Sequence, residues 1–388
     1  MNNISKCVKI YKEWLGVFAV SFAVFIFNTT EFIPIGLLPD IAESFNISEA
    51  NIGLLITSYA WVVTIMSLPL TILTAHIERR KLMIWLFIVF VISHIVSGFA
   101  WNFAILMASR IGIAFAHSIF WAIAVPLAVR MAPNDKKARA VSFIVLGSSF
   151  ATIIGVPTGT LLGHYTNWRT TFLLIALCAI IIMIILTYLL PKLPSLNAGS
   201  LKSLPPLLSH TPLMNIYLLT IIIVTAYFTM YSYITPFMIQ VGKFSNGFIV
   251  FLLLVIGMAG ITSSAIFSKF SYNKKLFFMA SITFFLSLAL FSLCPLNSFL
   301  AIMLCFVFGI CMCLLTMSLQ TKVLDMAQDA SDVATSIYSA VFNIGIGGGA
   351  LAGSFVLRYV DISFIGYAAA LFALLALLVF IFISRRYF

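Results

Sequence analysis

Long apolar blocks fill the chain from Trp14 to Ser384, separated by short polar breaks. A helix that crosses a bilayer needs roughly 20 apolar residues. By that measure the blocks predict spans near 14–39, 50–74, 82–100, 102–131, 138–163 and 168–190, then 212–241, 246–270, 274–294, 297–325, 332–358 and 363–384. The one long polar break runs from Pro191 to Thr211, with Pro191, Pro194, Pro205 and Pro206 among Ser, Asn and Gly. It parts six spans from six. The expected fold is therefore an all-α membrane protein of twelve transmembrane helices in two pseudo-symmetric six-helix bundles, residues 1–190 and 212–388, joined by a linker at 191–211. A shift of 194 residues lays the fifth span on the eleventh, Ala140 on Ala334, Gly155 on Gly349 and Gly159 on Gly353. The first span is too long for a cleaved signal peptide, and no small-residue cleavage site follows it.

Composition narrows the class. With 62% hydrophobic and 9% charged residues, and a mean hydropathy of +1.14, the chain lacks the polar surface of a soluble globule of 388 residues. The net charge of +11 does not point to nucleic acid, because the positive residues are sorted by side. Eighteen of the 22 Lys and Arg fall on one side of the twelve spans. Only Arg169, Lys243 and Arg358 fall on the other, and Arg110 lies within a span. The positive-inside rule then places both termini and the linker in the cytoplasm. The six cysteines show neither metal-ligand nor paired spacing and read as small apolar fillers, so no cofactor or metal is expected. The expected setting is a monomer in a lipid bilayer.

Two motifs carry a resemblance. The loop after the second span, Thr71 to Lys81, is similar to a degenerate form of the Gly-x-x-x-Asp-Arg-x-Gly-Arg-Arg loop of the major facilitator superfamily. Arg79 and Arg80 fit that pattern, and Ala75 replaces its Asp. In the fifth span Gly147, Gly155-Val156-Pro157-Thr158-Gly159 and Gly163 resemble the antiporter motif of the drug/proton antiporter branch. Physically, Gly155, Gly159 and Gly163 form a small stripe that permits close helix contact, and Pro157 permits a bend. Runs such as Asn28-Thr29-Thr30-Glu31-Phe32, Ser109-Arg110-Ile111-Gly112 and Phe342-Asn343-Ile344-Gly345 narrow the resemblance to bacterial sugar efflux transporters. The resemblance implies a proton-driven exporter of small neutral sugars, arabinose-like sugars and thiogalactosides, with spans one, four, seven and ten around a cavity.

Polar residues inside the spans are the candidate chemistry. Glu31 is the only acid deep in a span, and an ionisable group at such depth is a functional candidate. Counted from Asp40 it lies about 13 Å from the end of span one, and Arg110 lies about 12 Å from the matching end of span four. A Glu31 to Arg110 pair at one depth suits proton coupling, or equally a permanent structural ion pair. Arg110, Ala114, His117 and Trp121 share one helix face. Indole stacks on a sugar ring while His hydrogen-bonds hydroxyls, although His117 would serve as well in an interhelical bond. Asn28, Tyr227, Tyr231 and Asn343 are further candidates for sugar contact. The tyrosines suit packing as well, and Asn343 could cap a bend. His94 reads as structural, and Asp40, Glu43 and Glu49 as a solvated loop.

Other classes fit less well. A membrane enzyme would need paired acidic motifs or a His-Asp set near an interface, and neither is found. Two similar halves with one central acid suit alternating access better than a continuous pore. Export of drugs or purine nucleosides by the same branch is the alternative.

Overall fold

The computed structural model describes residues 2–74, 76–132, 137–194, 209–270, 273–327 and 331–387, all in helices or the turns that join them. Much of the linker read from the sequence lies outside these residues. The helices are α1 (Asn2–Gly36), α2 (Leu38–Phe45), α3 (Glu49–Leu73), α4 (Arg79–Gly98), α5 (Phe103–Met131), α6 (Lys137–Phe150), α7 (Val156–Tyr165) and α8 (Trp168–Leu189). After the linker come α9 (Thr211–Tyr231), α10 (Ile234–Gln240), α11 (Asn246–Phe270), α12 (Lys274–Ala289), α13 (Ser298–Met326), α14 (Ser331–Tyr359) and α15 (Ile365–Tyr387). Among the described residues, eleven helical stretches are long and apolar enough to cross a membrane.

Local chemistry sets where these helices begin, and several start on a side chain that takes up an orphan N–H. Asn102 accepts from Ile105 N at 2.9 Å, Asn297 from Leu300 N at 2.7 Å, and Asn273 from Lys275 N at 2.8 Å. Where a solvated loop is expected after span one, Leu38–Phe45 instead forms the short helix α2, which ends on Asn46 in the left-handed region at φ 56°.

Several expected spans are not uniform helices, the seventh being α9 and α10 with a turn at Ser232 and Tyr233 between them. The fifth is α6 and α7 joined by a π turn at Ala151–Gly155, where Val156 N–H reaches back five residues to Ala151 O. Pro157 has no N–H to give to the carbonyl of Ile153, so the ladder is interrupted there and the chain widens. The ninth is α12, 16 residues or about 24 Å of rise, followed by a 3-10 turn at Phe291–Leu296 that contains Pro295.

The chain forms two compact units. One comprises the described residues of Met1–Ile33 and Ile65–Ala198, the other those of Pro34–Thr64 and Gly199–Phe388. In the first, α4 packs on α5 and α8, and Ser97 and Ser109 share a hydroxyl bond of 2.8 Å. In the second, α9 packs on α14 and α15, and α11 and α12 pack on α13. Tyr217 donates to Ala334 O at 2.9 Å and Tyr338 to Thr316 O at 2.9 Å, tying α14 to α9 and to α13.

Candidate functional site

The first unit's site begins with a missing donor. Pro34 stands inside α1, four residues after Thr30, and supplies no N–H to the Thr30 carbonyl. Arg110 on α5 fills that place: its Nη1 donates to Thr30 O at 2.9 Å, and its Nη2 lies 3.5 Å from Glu31 O. The guanidinium is fully buried. Its cost of desolvation is met in part by this backbone acceptor. His94 steadies the same turn from α4. Its Nδ1 lies 2.7 Å from Phe90 O and must be the protonated nitrogen, so its Nε2 accepts from the Thr30 hydroxyl. Both ring nitrogens of His94 are thus engaged, one within α4 and one on α1.

Glu31 points its carboxylate toward α5. Oε2 lies 3.7 Å from His117 Nε2, and both side chains are buried. One turn further along α5, Trp121 donates its indole N–H to the same His117 Nε2 at 2.7 Å. An indole nitrogen can only donate, so His117 Nε2 is here an acceptor. Aromatic packing fixes the arrangement: Phe27 stacks on Phe120 at 3.9 Å between centroids and lies 5.8 Å from the His117 ring. Trp121 is only half-buried, whereas His117 is 2% exposed.

Asn28 and the glycine stripe belong to one contact. Asn28 Nδ2 donates to Ser148 Oγ on α6. A Cβ added at Gly155 would stand 2.1 Å from Thr29 Oγ1, and one at Gly159 would stand 2.4 Å from Ile33 Cδ1. Only glycine lets the fifth span lie this close to α1, immediately behind Glu31. The second unit repeats the device, since a Cβ at Gly349 would meet Thr225 O of α9 at 2.6 Å.

In the second unit, Tyr227 stacks on Phe308 of α13 at 4.3 Å and lies 5.0 Å from the Tyr231 ring. Asn343 on α14 donates to Ser339 O of its own helix at 3.0 Å, while its Oδ1 is buried without a hydrogen-bond partner. A buried orphan acceptor is unusual and suits a donor brought by a ligand. Arg79 and Arg80 lie apart from these groups. Arg79 N–H donates to Leu193 O at 3.0 Å and Arg80 Nη2 to Thr187 O. Between them Glu78 accepts from Arg80 N, Lys81 N and Leu193 N. Burial raises the Glu78 pKa, but these three N–H groups and the Arg80 charge outweigh it and hold the carboxyl below its ordinary value. Arg130 Nη1 adds a bond to Pro194 O at 2.8 Å, so the chain leaving α8 is strapped to the α3–α4 turn.

The sequence pointed to Glu31, Arg110, His117 and Trp121, and the structure brings these four together. It did not point to Thr30, Pro34 or Ser148, although a proline four residues after a polar residue was the available signal.

The chain is 45% identical over 377 residues to a probable sugar efflux transporter of Mannheimia succiniciproducens, covering 97% of this chain and 95% of that one. Among solved structures it resembles a bacterial homologue of the human lysosomal transporter Spinster, with a TM-score of 0.78 and 14% identity over 97% of this chain and 98% of that one. It also resembles a mutant of the nucleoside transporter NupG, with a TM-score of 0.76 and 12% identity over 95% and 99% of the two chains. At such identities the structural likenesses speak to the fold alone. The profile of the Major Facilitator Superfamily matches residues 20–334, and together with the buried polar site on helices long enough to span a bilayer it makes this chain a multi-pass membrane transporter of the Major Facilitator Superfamily.

Proposed function

We propose that this protein exports small neutral sugars, such as arabinose-like sugars and thiogalactosides, in exchange for protons by alternating access of its two halves. The observation that carries the proposal is the Glu31, His117 and Trp121 chain: a buried acid, an imidazole 3.7 Å away, and a half-buried indole one hydrogen bond further on. The acid and imidazole can hold a proton. The indole offers the apolar face of a sugar a stacking surface. In the second unit Asn343 Oδ1 is an acceptor that a sugar hydroxyl would satisfy, and Asn28, Tyr227 and Tyr231 are further residues that we propose for sugar contact. Support for the sugar class comes from the relative named a probable sugar efflux transporter. The charge asymmetry supports a bacterial inner membrane with both termini in the cytoplasm.

Counterflow in proteoliposomes under an imposed pH gradient tests this, with a panel of sugars, nucleosides and dyes. Sugars are expected to exchange and to concentrate against their gradient. With Glu31→Gln, uphill export is expected to vanish while exchange survives. Transport of nucleosides or dyes without sugars would overturn the substrate class. Uphill export by the Glu31→Gln variant would place the driving proton elsewhere.

A further inference from the structure

His117 Nε2 has one lone pair and two claimants. The Trp121 indole N–H occupies it at 2.7 Å, and Glu31 Oε2 lies 3.7 Å from the same atom. A proton bound on Nε2, or one donated to it by a protonated Glu31 carboxyl, would fill that lone pair. The indole N–H would then have no acceptor there, because a nitrogen that already carries or receives a hydrogen cannot accept another. We propose that His117 is a positioning residue that couples the proton site to the sugar-stacking ring: Trp121 is held in its present place only while no proton lies between Glu31 and His117. This rests on the sugar and proton reading above and gives it a mechanism.

The step balances simply. A proton enters the space between Oε2 and Nε2, the Trp121 N–H to Nε2 bond breaks, and the indole turns to another acceptor. When the proton leaves, the bond re-forms. Ionisable groups that bear on His117 lie on its own helix and on α1 and α4. From α1 it faces Glu31, and Arg110 stands two turns earlier on its own helix. On α4, His94 is occupied by Phe90 O and the Thr30 hydroxyl. The α6 segment Ala140–Phe150 carries no titratable group, nor does the stretch of α3 from Ile65 to Leu73, whose Ser67 donates to Ser118 O at 3.3 Å. The relay also explains why a half-buried tryptophan points its only polar atom at a buried histidine.

The test needs no sugar in its first arm. With indole-15N-labelled protein in nanodiscs, the Trp121 N–H resonance is identified as the one lost in Trp121→Phe and followed between about pH 5 and 8, the range in which histidine titrates. The resonance is expected to shift with pH in the native protein. It should stay fixed in His117→Gln, whose amide oxygen still accepts from the indole but cannot take up a proton. A resonance that ignores pH in the native protein, or that still titrates in His117→Gln, would overturn the relay. In the second arm, thiogalactoside affinity in the native protein should change by up to about tenfold per pH unit, the limit for linkage to one proton. Trp121→Phe should lose most of that pH dependence, whatever its affinity at any single pH. If Trp121→Phe keeps the full dependence, the relay is wrong. If the indole titrates and no sugar binds at any pH, the relay stands and the sugar reading fails.

Discussion

Pro34 organises the site by what it lacks. Because it gives no N–H, Thr30 O remains open to Arg110. Pro34→Ala would restore a donor one turn on and let α1 close its own ladder at Arg110's expense. The variant is expected to be at least as stable as the native protein, since proline is the poorest helix residue, by about 3 kcal/mol relative to alanine. Its transport should fall nonetheless. An interhelical bond worth roughly 0.6–1.7 kcal/mol corresponds to a loss of about three- to twentyfold, read as the initial exchange rate beside the melting temperature. A rate that holds would mean Arg110 keeps its place without Thr30. For Trp121→Ala the expected change is a ten- to hundredfold weaker thiogalactoside affinity, roughly 1.4–2.8 kcal/mol, measured by binding; unchanged affinity would show that the ring is only packing. Glu31 and Arg110 were legible in the sequence because charge inside a span is costly and depth can be counted. Arg110's partner was not, because a backbone carbonyl has no letter of its own. The bond from Trp121 to His117 was half legible: the four-residue spacing placed both on one face, but rotamers decided that the indole would point back along its own helix.

At the scale of helices, the glycine stripe acts by proximity. Gly155→Ala would set a methyl 2.1 Å from the hydroxyl of Thr29 and 3.1 Å from its Cβ. Thr29 is β-branched and cannot easily turn aside. The expected cost is that of an overpacked core, about 1–3 kcal/mol, seen as a lower melting temperature. Thr29→Ala in the same chain should recover most of it by removing the clashing atoms. If the double variant is no better than Gly155→Ala alone, the glycine is needed for something other than closeness to α1. The stripe could be read from its spacing, yet its partner residues could not. The π turn beside it was legible only as the possibility of a bend at Pro157.

Glu78 offers a second test at this scale. Its carboxyl is held below its ordinary value of 4.5, so its folded form binds the proton less readily than its unfolded form. The strap to Leu193 is therefore fully present above about pH 4.5, and it is lost as pH falls through the lowered folded value. Glu78→Gln, with one acceptor oxygen in place of two, should flatten this acid arm in a plot of melting temperature against pH. An unchanged arm would show that other carboxylates set it.

For the whole molecule, most spans followed from the length and apolar content of each block, which can be read locally. The division into compact units did not, because apolar helix faces carry no code for their partner. The chain passes from one unit to the other at Pro34, one turn beyond Thr30, and back after Thr64. Within the second unit the start of α3 is held at several points. Ser354 Oγ donates to Ala50 O at 2.8 Å, Gln240 Nε2 to Glu49 Oε2 at 2.8 Å, and Arg358 to Asn51 Oδ1. Gly53 lies directly against Tyr233, whose hydroxyl donates to Ala350 O at 3.1 Å. Several of these contacts are polar, which suits a surface that parts and re-forms. If transport requires this part of α3 to leave α10 and α14, then loosening it should expose Ala50, whose side chain is now 4% exposed. A cysteine placed at that position, with Cys178 replaced by serine, is expected to react slowly with a membrane-impermeant maleimide. Adding Arg358→Ala together with Gly53→Val should speed that reaction several-fold. Equal rates with and without the two loosening substitutions would show that the start of α3 belongs to the second unit throughout the cycle, and that the parting surface lies elsewhere.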